Sequence, residues 1–298
     1  MFHARIRIIS SDITEIFVME KWREIYTEEQ LKKLQSLEMM NLAELKCVCE
    51  KIGVEFFAYG GTLLGAVRHK GFIPWDDDLD IAMTRENYVK FIRLAPQYLS
   101  ECYHLQTPYT DIKTPFPYAK LRLKGTTYIE YINKDLDIEK GIYVDIYPID
   151  NLPDDDQEYY KQYKKFHRLA VLYARRQSAV YDSREKTPGV LMKKILKLCL
   201  SAALRLIPQN MIIKAMDDIA TRYNNANTTR LGNLYYPTPV NSFDELYPLL
   251  ECAFENDSIK IPTSYHQHLT SRYGDYMTMP PEEKRIGHKP YKLDFGNY

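Results

Sequence analysis

The residues best equipped for chemistry lie between Asp76 and Asp80. Asp78-Leu79-Asp80-Ile81 alternates a carboxylate with an apolar side chain. Side chains alternate between faces along a strand, so Asp78 and Asp80 would share one face while Leu79 and Ile81 enter the core. Two carboxylates roughly 7 Å apart along a strand can converge on a hard cation; without one they repel. Asp76 and Asp77 extend the run, either as a solvated loop or as support for the pair. Asp76-x-Asp78-x-Asp80 also begins like a calcium-binding EF-hand loop. Its sixth position is Ile81 instead of glycine and its twelfth is Asn87 instead of glutamate, which excludes that reading.

Two other segments could complete such a site. Upstream, the short aromatic-rich run Val54–Tyr59 ends in Gly60-Gly61 and a helix follows. Glycine lets a backbone come close to a ligand, and a helix N-terminus offers free N–H groups and partial positive charge to phosphate. The alternative is simply a tight strand-to-helix turn. Downstream, Asp145 is the one acid in Gly141-Ile-Tyr-Val-Asp-Ile-Tyr147. As a third acid on a neighbouring strand it would complete a metal-binding triad, or take the proton of an attacking hydroxyl. A structurally paired buried acid is the simpler account.

A strand ending in Gly-Gly, an acid–apolar–acid strand and a third acid on a later strand resemble the nucleotidyltransferase superfamily. The stretch Tyr59-Gly-Gly-Thr-Leu-Leu-Gly-Ala-Val-Arg-His-Lys-Gly-Phe-Ile-Pro-Trp-Asp-Asp-Asp-Leu-Asp80 resembles, more narrowly, the LicD family, which is related to fukutin. The resemblance covers about residues 38–150 and returns at Tyr273-Gly-Asp-Tyr-Met277, Pro280-Pro281, Arg285 and His288. It implies transfer of phosphocholine, or a related phospho-alcohol, from CDP-choline or another CDP-alcohol to a hydroxyl of a cell-surface glycan. It makes Asp78 and Asp80 metal ligands with Asp145 as the third acid, and turns Gly60, Gly61 and Thr62 toward the nucleotide phosphates. Mg²⁺ and Mn²⁺ both suit oxygen ligands. Cations must balance a diphosphate. Arg68 lies inside the motif, Lys120 and Arg122 would share a strand face with Lys124, and Arg285 and His288 could close over the nucleotide. Choline, a quaternary ammonium, is attracted by aromatic faces, and Trp75, Tyr128, Tyr131, Tyr143 and Tyr147 lie near the motifs. No cysteine-rich zinc loop is present, so no zinc is expected.

Two rival readings remain. A metal-dependent glycosyltransferase could use Asp78-x-Asp80 on a nucleotide-sugar, although the Gly-Gly turn and Asp145 speak against it. An inactive relative could bind nucleotide or glycan without turnover, although the full acid set speaks against that.

These residues need elements to hold them. Thr27-Glu-Glu-Gln30 has the form of a capping box, and leucines recur at helical spacing to Ile52 before Gly53, which predicts a helix over 28–52. Strands are predicted at 54–59, 79–83, 103–107, 117–123, 126–131 and 142–147, with helices from Thr62 to about His69 and over 85–99. The expected fold is α/β (α+β), a nucleotidyltransferase-like mixed sheet flanked by helices with a helical extension. The expected divisions are a core at 1–153, helices at 154–240 and a C-terminal segment at 241–298 packing back on the core. Within these, helices are predicted over 155–180 and 189–224, broken at Pro208, a hairpin at 250–254 and 258–261, a short helix at 263–273, and an irregular tail from Pro280.

Composition sets the outer limits. Lys plus Arg and Asp plus Glu each number 40, and zero net charge removes a global electrostatic argument for nucleic acid. Cys47, Cys49, Cys102, Cys199 and Cys252 form no CxxC pair, which suggests reduced thiols. The charged N-terminus lacks the apolar core of a signal peptide. The longest run without a charged residue, 231–243, holds polar residues and prolines, so it does not span a membrane. A cytoplasmic protein is expected. The stretch 189–207 reads as a basic amphipathic helix. A lipid-linked acceptor would favour peripheral docking of that helix at the inner membrane face, and packing on the core is the alternative.

Overall fold

The computed structural model describes residues 27–177, 188–235, 242–285, 287–288 and 290–298. The segment tested against a signal peptide lies outside the described residues, as do 178–180 of the helix expected over 155–180 and 236–241 of the uncharged run.

Helix α1 (Glu28–Ile52) starts at its capping box. The Thr27 hydroxyl accepts from the Gln30 N–H, and the Gln30 side chain accepts from the Thr27 N–H. Gly53 ends the helix in the left-handed region at φ 61°. The buried stripe of α1, including Leu42, Leu45 and Val48, packs on the sheet.

Six strands alternate with two further helices: β1 (Phe57–Ala58), α2 (Gly60–His69), β2 (Asp80–Thr84), α3 (Arg85–Leu94), β3 (Tyr103–Gln106), β4 (Ala119–Leu123), β5 (Thr127–Ile129) and β6 (Ile142–Leu152). The central sheet has the order β1-β2-β6-β4-β3. β2 and β6 run parallel and the other pairs antiparallel, which is the mixed sheet of an α+β protein. Period-two alternation sorts the side chains. Ile81, Met83, Val144 and Ile146 join α1 and α3 in the main core, while Ala82, Tyr147 and Ile149 face the other side with Phe57. β6 is longer than its predicted span and its far end pairs with β7 (Arg230–Gly232).

Three helices follow: α4 (Asp156–Gln177), α5 (Pro188–Leu204) and α6 (Gln209–Ala220), with Pro208 at the break. Tyr159, Tyr163 and Phe166 of α4 bury against Ile212 and Met216 of α6. A guanidinium fork ties this layer to the sheet. Arg85 donates to Asp150 at 2.7 and 2.5 Å and reaches Asp217 of α6 at 3.3 Å. Near the C-terminus come α7 (Phe243–Leu246), the hairpin β8 (Leu250–Phe254) and β9 (Asp257–Ile261), and α8 (Tyr265–Tyr273). The hairpin sends Phe254, Ile259 and Ile261 into the main core.

The tail departs from expectation. It holds β10 (Lys292–Asp294), paired antiparallel with β5. Three residues are too few for a periodicity to show in sequence.

Candidate active site

The loop after α2 divides its acids by direction. Asp77 points inward and is fully buried, where its carboxylate accepts from the Tyr128 hydroxyl at 3.0 Å and from the His288 backbone N–H at 2.6 Å. Its neighbours turn the other way. Asp76, Asp78 and His288 each bring a ligand atom within 4.8 Å of the others, a grouping able to hold a metal ion. α1 fixes the approach of this loop, because Gln35 donates to the Asp76 carbonyl at 3.0 Å.

Gly60 and Gly61 open α2 directly against these acids. A Cβ on Gly60 would stand 2.7 Å from Asp80 Oδ2, and one on Gly61 would stand 2.7 Å from Asp76 Oδ2. Gly60 also has φ +54°, which L side chains rarely adopt. The two glycines thus let two carboxylates close on the N-terminus of a helix, where partial positive charge favours anions. Thr62 is buried, and its hydroxyl accepts the Asp80 N–H at 2.8 Å, which pins the start of β2 to α2.

Burial, and then repulsion among the acids, pushes the carboxyls of Asp76 and Asp80 well above the usual carboxylate range. Burial raises Asp78 as well, against the opposing pull of His288. The buried Oδ1 of Asp80 has no hydrogen-bond partner. Clustered carboxylates with an orphaned oxygen and an imidazole alongside fit a hard divalent cation with oxygen preference. Asp76, Asp78, Asp80 and His288 are the residues that would hold it.

A polar row crosses one face of the sheet in register: Gln106 on β3, Lys120 on β4, Asp145 on β6 and Asp80 on β2. Asp145 therefore lies beside Asp80, as the sequence suggested. Its carboxylate is already compensated. Lys120 Nζ lies 2.7 Å from Oδ1, while the hydroxyls of Tyr147 and Tyr118 donate to Oδ2 at 3.0 and 3.4 Å. An ammonium and two phenols already occupy its oxygens, so its geometry suits a held, paired side chain better than a base.

The expected strand of exposed cations takes a different form. β4 ends at Leu123, before Lys124, and both Lys120 and Arg122 are buried. Lys120 stands 3.5 Å from the Tyr143 ring centre and 4.2 Å from that of Phe116. Arg122 donates to the Gln106 side chain at 3.0 Å and to the Gly141 carbonyl at 2.8 Å, which braces the sheet internally, and its full burial keeps it from meeting a phosphate. Sequence alone could not separate a solvated edge from a buried ion pair, because both alternate charge with apolar residues.

Arg68 sits at the far end of α2 from the glycines, roughly 12 Å along the helix. It donates to His69 and to the Tyr276 carbonyl at 2.8 Å. Arg285 donates to the Pro280 carbonyl and lies over Trp75, 5.5 Å from the ring centre. Trp75 in turn meets His69 edge-on. Arg68, Trp75 and Arg285 thus form a neighbouring patch instead of lining the acids. His288 does reach them, with Nδ1 3.4 Å from Asp78 Oδ2.

Three contributors escaped the sequence reading. Asp76 reads from sequence as a solvated loop residue or as support. Glu38 sits on the buried stripe of α1, where Asp78 and its neighbours add to burial in raising its carboxyl well above the ordinary range. An acid among the leucines of that helix face was the available signal. Arg272 of α8 is half-buried, lies 5.4 Å from the Tyr273 ring centre and acts electrostatically on Tyr59, while Tyr273 feels Asp80 and Asp76. Nothing in its spacing marked it.

Residues 53–177 match the family described as LicD/FKTN/FKRP, nucleotidyltransferase domain. The chain is 28% identical over 269 residues to the lipopolysaccharide cholinephosphotransferase LicD of Haemophilus influenzae, an alignment covering 87% of this chain and 97% of the relative. It is 48% identical over 40 residues to the human ribitol 5-phosphate transferase FKRP, covering 13% of this chain and 8% of that protein.

Proposed function

We propose, from the premise that residues 53–177 are a LicD-family nucleotidyltransferase domain, that this protein transfers a phospho-alcohol from a CDP-activated donor to a hydroxyl of a cell-surface glycan. Phosphocholine is the group we assign first, because the relative aligned over most of the chain is a cholinephosphotransferase. The observation that carries the reading is the convergence of Asp76, Asp78 and His288 beside Asp80 at the glycine-opened end of α2.

In the proposed reaction the acceptor oxygen forms a bond to the donor phosphorus while the bond from that phosphorus to CMP breaks. The hydroxyl proton passes to a carboxylate of the cluster. A bound divalent cation would supply neutralisation of phosphate charge. The chain's own groups do the positioning. Asp76, Asp78, Asp80 and His288 would hold the cation, and Arg272 is the side chain we assign to the outer phosphate. Lys120 holds Asp145 in place beside Asp80. Catalysis of this kind rests on placement and charge stabilisation.

The test is product analysis with CDP-choline, Mg²⁺ and a glycan acceptor, alongside thermal-shift binding of CDP-choline, CDP-ethanolamine, CDP-ribitol, CDP-glycerol and UDP-sugars with metal or chelator. Release of CMP with a metal-dependent shift largest for CDP-choline supports the reading. A larger shift for another CDP-alcohol keeps the mechanism and changes the head group. Release of a nucleoside diphosphate from a UDP-sugar hands the case to a glycosyltransferase.

A further inference from the structure

Of the twenty large apolar side chains exposed among the described residues, nine fall between Leu191 and Met211. They sit on α5, on the turn through Pro208 and at the start of α6. Leu196 is 69% exposed and Leu206 86% exposed, while Leu191, Met192 and Met211 each exceed half. α5 touches α4 mainly through its last turns, where Ser201 and Leu204 are buried and Ser201 donates to the Arg176 carbonyl. Monomeric soluble proteins rarely expose apolar surface this continuous unless it meets a partner.

Charge identifies the partner. From Thr187 to Met216 there is no Asp or Glu, while Lys193, Lys194, Lys197, Arg205 and Lys214 contribute five positive charges. The whole chain is neutral, so this stretch is a local excess of +5. An exposed apolar face in a stretch whose charges are all positive matches the boundary of an anionic bilayer, where leucines enter the acyl region and cations meet phosphate headgroups. No single helix among the described residues is long and apolar enough to cross a membrane, and α5 and α6 meet at a bend of 82°. That shape suits lying on a surface.

We infer that α5 and the following turn dock this protein on an anionic phospholipid surface. The inference goes beyond the transfer reaction and stands whether or not that reaction is assigned correctly.

The experiment is cosedimentation of the full chain with vesicles of phosphatidylcholine alone or with phosphatidylglycerol, at low and high salt. Leu196→Gln/Leu206→Gln and Lys197→Glu variants are compared, with circular dichroism confirming the fold and sedimentation velocity giving the oligomeric state. The expected result is binding to anionic vesicles that falls with salt, drops about tenfold or more in the double leucine variant, and weakens in Lys197→Glu. Absence of vesicle binding, or binding unchanged in the leucine variant, overturns the inference. Self-association lost in the leucine variant without vesicle binding would give the face to a second copy instead.

Discussion

Lys120 and Asp145 face each other across the β4–β6 ladder as a buried ion pair 2.7 Å apart, with Asp145 in register beside Asp80 on the next strand. The pair places a carboxylate next to the acid cluster without adding net charge there. Removing one member of a buried pair leaves the other uncompensated, at about 3–5 kcal/mol. Lys120→Met should destabilise by that order in denaturant titration. Lys120→Met/Asp145→Asn should recover much of the stability while activity stays lost. Full stability in the single variant would show that the pair is dispensable to the fold.

Asp78→Asn and Asp80→Asn should each cut turnover by about 100-fold or more while leaving the fold intact. Both carboxyls are raised by burial and neighbouring charge, so neutralising either relieves repulsion in the metal-free protein. A melting temperature equal to or above that of the parent, together with lost turnover, is the expected pattern. Near-normal turnover in either variant removes that acid from the site.

Divalent cation should raise the melting temperature and chelator should reverse the change. A cation present at 100 times its dissociation constant stabilises the native state by about 2.7 kcal/mol. Asp76→Asn should weaken this response at least as much as Asp145→Asn does, because Asp76 stands in the open ligand group and Asp145 is already paired with Lys120. The reverse order would restore Asp145 as the third ligand.

Gly60→Ala should act on kcat more than on stability. The added methyl would meet Asp80 Oδ2 at 2.7 Å, and alanine must hold φ +54°. The backbone cost is about 1 kcal/mol. Displacing the Asp80 carboxylate should lower kcat by about tenfold or more. Steady-state kinetics beside thermal denaturation separates the two effects.

His268 gives the fold an acid-labile point. It is buried against Tyr59, neither ring nitrogen has a hydrogen-bond partner, and burial lowers its pKa to about 4 from 6.5. The native state therefore binds fewer protons than the unfolded chain between those values, and stability rises with pH across that window. As pH falls from 6.5 toward 4, the His268 contribution should shrink by about 3 kcal/mol. Stability measured against pH should fall less steeply over that window in His268→Leu than in the parent.

Much of this architecture was legible from local chemistry. α1 could be read from a capping box and a leucine stripe, and β2 from its acid–apolar alternation, because these signals depend on near neighbours. The paired roles of Lys120 and Arg122 were not legible. Their burial is decided by β3, β5 and β6, which the strand itself does not encode. Asp76 and Asp77 illustrate the same limit within one dipeptide. Adjacent and chemically identical, they serve opposite sides of a loop, and contacts from distant segments, Tyr128 and His288 among them, hold Asp77 inward.

That last contact joins positions 211 residues apart in sequence. During synthesis the acids emerge long before the segment that caps them, and β5 likewise waits for β10. A nascent chain can thus build its sheet while its acids lack their imidazole and Asp77 lacks its backbone donor. Competence is a late event in the life of the chain, and cleavage between α8 and His288 should silence the protein while sparing most of its core.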